Sequence, residues 1–156
     1  DLYGEAEIAF RVDRLGKKRM FCSGFFYFTE GIMKREMGLA RCGLACCLCA
    51  QNDMCGGCGE GDAPEKSWCE NRRCSIEKNI ARCADCETLC KKGMFEKAKP
   101  YAFTLFLKRY GEEELLNCLE RNEQKGIVYH RDGIFGDYDG FGDAEAVIAF
   151  IKTGKR

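Results

Sequence analysis

The stretch CGLACCLCAQNDMCGGC at residues 42–58, answered by CENRRCSIEKNIARCADCETLC at 69–90, decides how this chain is organised. Eleven of its thirteen cysteines lie in these two segments. They are spaced as ligand pairs: Cys46-x2-Cys49, Cys55-x2-Cys58 and Cys83-x2-Cys86, with Cys69-x4-Cys74 standing between the second and the third. Two residues between thiols let one tight turn present both sulfurs to the same ion, and two such turns complete a tetrahedral cage. The candidate metal ligands are Cys42, Cys46, Cys49, Cys55, Cys58, Cys69, Cys74, Cys83, Cys86 and Cys90. Cys47 is left out, because its side chain must point away from those of Cys46 and Cys49 if they share an ion. Cys22 and Cys118 stand alone and read as packing residues.

The rest of the cysteine-rich third explains why it needs a staple. Its large aliphatic residues are few: Leu39, Leu44, Leu48, Ile76, Ile80 and Leu89. So thin a core cannot offset chain entropy by burial alone, which leaves metal ions or disulfides. No secretory leader is legible at the N-terminus, the cysteine count is odd, and Cys46 and Cys47 are adjacent, so metal is expected in a cytoplasmic protein. Eight thiolates complete two tetrahedral zinc sites. The simplest assignment is Cys46, Cys49, Cys55 and Cys58 for one ion and Cys69, Cys74, Cys83 and Cys86 for the other. A cross-braced pairing is open, as is replacement of a member by Cys42 or Cys90.

Composition narrows the partners. Lys+Arg and Asp+Glu number 25 each, and Arg72, Arg73, Lys78 and Arg82 are answered by Glu70, Glu77, Asp85 and Glu87. Thiolates around zinc add negative charge, so nucleic acid is disfavoured as a partner. No apolar run approaches the roughly 20 residues of a membrane helix. The sequence names no partner; a protein is the candidate it leaves open.

Other chemistries are weaker. Cys83-x2-Cys86-x3-Cys90 gathers three thiols as an iron–sulfur cluster requires, making an electron-transfer or sensing protein the first alternative. Cys42-x3-Cys46-x2-Cys49 is similar to the three-thiolate spacing of radical enzymes that use S-adenosylmethionine. Those enzymes usually carry an aromatic where Leu48 stands, and their barrel is far longer than the chain remaining here. A redox C-x2-C wants a preceding strand and a helix N-terminus, and neither is legible. His130 is the only histidine, so no triad can be built on it. The Asp137–Asp143 loop fails the calcium-loop register at Phe135 and lacks a closing glutamate.

Three regions follow. Residues 1–36 read either as a β-hairpin, with a turn at Leu15-Gly16-Lys17, or as an extension foreign to the module; Met37 could begin a shorter protein. Residues 37–93 are the loop-rich cysteine module with one short helix expected over Ser75–Arg82. Residues 94–156 are helical. There Pro100 suits a first turn, Phe103, Phe106, Leu107 and Tyr110 form a stripe, and Gly111 ends it. Glu112–Gln124 buries Leu115, Leu116, Cys118 and Leu119, and Asp143 N-caps Ala144–Lys152. The fold class is thus a small metal-stapled, loop-rich cysteine module with an α-helical C-terminal region, mainly α.

Cys42-Gly43-Leu44-x-Cys46-x2-Cys49, Cys55-x-Gly57-Cys58, Cys69-Glu70-x-Arg72-Arg73-Cys74, Glu77-Lys78 and Cys83-x2-Cys86 together resemble a family of short cysteine-rich bacterial and archaeal proteins of unknown function. Zinc binding is attributed to that family's cysteines. The resemblance covers residues 40–91 and implies a metal module without a known activity. Relatives commonly have a further cysteine where Lys66 stands. They place four residues, with a Tyr-Pro, before the last cysteine, where this chain has only Glu87, Thr88 and Leu89. The expectation is a zinc-binding, non-enzymatic protein, an adaptor among its candidate roles.

Overall fold

A computed structural model describes residues 33–50, 55, 57–58, 66–131 and 133–156, with the backbone of three short strands between residues 9 and 27. The chain divides into two units, Asp1–Ile32 and Met33–Arg156. In the first, β1 (Ala9–Val12), β2 (Lys18–Cys22) and β3 (Phe25–Tyr27) pair antiparallel in the order β1-β2-β3. Phe10 stands opposite Met20, and Phe21 opposite Phe26. The turn expected at Leu15-Gly16-Lys17 lies outside the described residues.

The second unit is mainly helical. Four α-helices, α1 (Glu70–Glu77), α2 (Ala98–Tyr110), α3 (Glu112–Gln124) and α4 (Ala144–Thr153), carry its regular structure among the described residues, with one-turn 3-10 segments between them. Pro100 occupies the first turn of α2, where its missing N–H breaks no helical bond. Phe103, Phe106 and Leu107 then bury one face. Gly111 ends the helix with φ +84° and lets α3 start at once, behind three glutamates that suit the positive end of its dipole. The Asp143 side chain accepts from the Ala146 N–H at 2.9 Å and caps α4, and Gly154 closes it in the left-handed conformation. No helix among the described residues is long and apolar enough to cross a membrane.

Helix α2 lies against α3 and α4, and Phe103 forms the hub of an aromatic cluster. Its ring meets Tyr129 at 5.9 Å and Tyr138 at 5.8 Å, both edge-on, and Tyr138 meets Phe150 at 5.1 Å. Such edge-to-face pairs add to burial through ring quadrupoles. Buried Asn122 of α3 donates to the Tyr138 hydroxyl (3.1 Å) and to the Ile151 carbonyl (2.9 Å), tying α3 to the cluster and to α4. The same core extends into the cysteine-rich segment through Leu39, Ala45, Cys47 and Leu48. Arg35 fastens that segment to α3 by reaching Glu113, Asn117 and Glu120 at 2.6–2.9 Å.

One element departs from expectation. The short helix is Glu70–Glu77, not Ser75–Arg82. Cys69 stays extended as its N-cap and Glu70 supplies the first-turn acid. Asn79 adopts φ +52°, a conformation asparagine tolerates better than most residues, and this terminates the helix before Ile80. Ile76, whose spacing to Ile80 suggested a helix face over Ser75–Arg82, is 47% exposed.

Candidate metal centre

Two of the C-x2-C units share one backbone conformation. Cys46–Leu48 and Cys83–Asp85 are single 3-10 turns, each closed by an N–H from the second cysteine to the carbonyl of the first, at 3.2 Å for Cys49 and 3.1 Å for Cys86. Cys49 (φ −68°, ψ 133°) and Cys86 (φ −69°, ψ 135°) then leave in nearly identical extended geometry. With three residues per turn, side chains i and i+3 eclipse, so each turn carries its two thiols on one side. The intervening Cys47 faces the opposite way and is fully buried in the helical core.

The ten candidate thiols line two cavities. A small one, of ≈ 30 Å³, is bordered by Cys74, Cys83, Cys86 and Cys90. A larger cleft, of ≈ 580 Å³, is bordered by Cys42, Cys46, Cys49, Cys55, Cys58 and Cys69. Cys69, extended at the start of α1, borders the large cleft, whereas Cys74, within the helix, borders the small cavity. Cys90 borders the small cavity with Cys74, Cys83 and Cys86, and Cys69, which borders the large cleft, is also close enough to Cys83 to raise its pKa. None of the twelve described cysteines is in a disulfide. Among the described residues, no three cysteine, histidine or acidic side chains stand in an arrangement that already encloses an ion. The thiols lie as neighbouring groups around the two cavities.

Electrostatics describe the same neighbourhoods. Burial pushes the Cys46 thiol up to about 11, helped by Cys58, Cys49 and Cys55 and opposed by the Cys58 N–H. Burial likewise pushes Cys83 up to about 12, with Cys74, Cys90, Cys69 and Cys86 adding to it. Cys42 rises to about 12, again chiefly by burial, with the Leu44 N–H opposing and Cys58, Cys69 and Cys83 reinforcing. Cys86 moves the other way: the Thr88 N–H and then the Lys78 ammonium, 3.3 Å from its sulfur, favour the thiolate. These responses are what packed sulfurs require. Their charge is costly while shared only among themselves, and a cation between them removes the cost.

Residues without any cysteine signature position the thiols. The Arg41 guanidinium donates to the carbonyls of Cys58 (3.1 Å) and Ile80 (2.9 Å) and to Ser75 Oγ (3.3 Å). Thr104 of α2 donates to the Cys42 carbonyl at 2.6 Å, and the Ala45 N–H donates to the buried Tyr129 hydroxyl at 3.0 Å. Lys99, ion-paired to Asp139 at 3.1 Å and 3.9 Å from the Tyr129 ring centre, adds positive charge to the cleft that the thiols line. Burial lowers its ammonium pKa, against the pull of Asp139. None of these follows from local spacing. Gly43 was the one signal available, as a glycine following the first cysteine.

Two expected results follow. At Gly43 (φ +81°) a Cβ would stand 3.0 Å from the Thr104 nitrogen and 3.1 Å from the Phe103 carbonyl carbon, so Gly43→Ala adds backbone strain to overpacking. It is expected to cost about 3 kcal/mol, read as a lower urea midpoint at unchanged slope. Arg41→Ala should cost about 2 kcal/mol through three lost hydrogen bonds, and Arg41→Lys should recover less than half, because an ammonium cannot fork between carbonyls.

No protein-family model matches the chain, and neither a curated protein nor a solved structure shows significant similarity to it.

Proposed function

We propose that residues 37–93 form a loop-rich, zinc-stapled thiolate module, joined to the helical region as the structural half of a non-enzymatic adaptor. One observation carries this reading. The ten cysteines with ligand spacing all border the two cavities, while Cys47 and Cys118 lie in the hydrophobic core. Zinc suits the donor set, since thiolate is its preferred structural ligand and the ion has no redox chemistry of its own. When bound, it would supply charge neutralisation and cross-linking of distant loops. Protein partners are favoured by Trp68, Ile134 and Phe135, which are 67%, 69% and 77% exposed. Thiolate ligands need a reducing compartment, so the reading carries the cytoplasm with it.

Elemental analysis of the full chain, purified without air, tests this. Colourless protein with at least two zinc ions per chain is the expected result. Stoichiometric iron with sulfide and a brown colour would replace zinc by an iron–sulfur cluster, for which the Cys74, Cys83, Cys86 and Cys90 group is the natural seat. Protein without stoichiometric metal, whose fold persists in strong chelator, would overturn both.

A further inference from the structure

The large cleft is more than a wall of thiols. At ≈ 580 Å³ it has the volume of a site for a small organic molecule. A tetrahedral zinc site, with sulfurs about 2.3 Å from the ion, fills little of such a space. Away from the cysteines the lining is apolar and largely aromatic, with Leu44, Pro100, Tyr129, Tyr138, Phe141 and Val147. Tyr129, Tyr138 and Val147 are buried, Tyr129 meets Tyr138 at 5.8 Å, and Phe141 rests on Phe150 at 5.3 Å. Rings held in this way form the wall before any ligand arrives, which lowers the cost of binding.

Charge on the cleft is one-sided. Lys66, Lys97 and Lys99 border it, and Asp139 is the one carboxylate on it among the described residues. Lys99 takes that carboxylate at 3.1 Å. No ion pair or hydrogen bond engages the ammonium group of Lys66 or Lys97 among the described residues. The first turn of α2 lies on the same lining through Ala98, Lys99 and Pro100, and it has neither an acidic residue nor a side-chain cap to meet the positive end of the helix dipole. An apolar cavity with uncompensated cations on it suits a ligand with an apolar body and one negative group.

We infer that the large cleft binds a small aromatic carboxylate, its ring among Pro100, Tyr129 and Phe141 and its acid group against Lys97 and Lys99 at the start of α2. Aromatic walls favour a ring over an aliphatic body, through edge and offset contacts. The acid group gains charge-assisted hydrogen bonds, which a neutral amide of the same shape does not. An ammonium has three donors. Asp139 and, at 3.4 Å, the Tyr129 carbonyl occupy two of those on Lys99, and the third serves the ligand. The inference goes beyond the zinc reading and stands separately from it. Ligated thiolates would reduce the positive surplus, so binding is measured on the chain as isolated, with its metal content known.

The test is calorimetric titration of the full chain with naphthalene-2-carboxylate. One molecule per chain is expected, with a Kd of roughly 10–100 µM. The Trp68 indole N–H resonance should shift with the same saturation, because Trp68 borders the cleft. Naphthalene-2-carboxamide, alike in shape and uncharged, should bind at least about tenfold more weakly. So should the acid to Lys97→Gln, a change at an exposed position that leaves the fold intact. No saturable binding of the acid up to about 1 mM would overturn the inference. Equal affinity for acid and amide, or indifference to Lys97→Gln, would overturn it too. None of these results touches the zinc reading, which is decided by metal content.

Discussion

If zinc staples the module as proposed, strong chelator at neutral pH is expected to lower stability by about 5 kcal/mol or more, a fall in Tm of roughly 10–20 °C for a chain of this size. The described residues between 38 and 93 otherwise have short 3-10 turns, the eight-residue α1 and a few aliphatic contacts to hold them. That is too little burial to hold the module in one conformation. Trp68, the single tryptophan and the residue before Cys69, reports the change: its emission should shift on chelation and return when zinc is restored. Acid should act in the same direction. Ligating sulfurs must be deprotonated, so protons compete with the metal and stability falls as pH falls. An unchanged Tm after verified metal loss would remove the staple from the account.

Phe103→Ala should be the most damaging single substitution in the helical core, at about 4 kcal/mol. The ring is fully buried and edge-on to both Tyr129 and Tyr138, so its removal opens a cavity and unseats two aromatic neighbours. Tyr129 also accepts from the Ala45 N–H, immediately before the Cys46 turn. The loss should therefore reach the thiols, appearing as faster zinc transfer to a colorimetric chelator as well as a lower denaturation midpoint. Phe103→Leu, which keeps most of the volume, should give a much smaller change in both. Equal zinc transfer rates across the three proteins would uncouple core and centre.

Much of the helical part was legible in residue order. Pro100, the Phe103–Phe106–Leu107 stripe, Gly111, the glutamates opening α3, and the Asp143 and Gly154 caps are local signals, and local hydrogen bonds decide those elements. Helix α1 was misplaced because Ile76 and Ile80 mimicked a buried face, whereas Cys69 and Asn79 set its limits. Spacing singles out ten thiols as candidates, and all ten border the two cavities. Which cavity each borders was not legible, because it depends on where α1 starts after the extended Cys69 and on where Arg41 passes between Cys58 and Cys83. Long-range contacts such as Thr104 with Cys42 leave no trace in spacing at all.

The adjacent pair Cys46 and Cys47 gives the molecule a mechanical property. One peptide bond separates a sulfur on the cleft wall from a sulfur sealed among α2, α3 and α4. Displacement of the first drags the second, so the interior cannot stay indifferent to what the cleft holds. Backbone amides in the middle of α2, remote from any cysteine in sequence, should therefore exchange with deuterium at rates that track zinc occupancy.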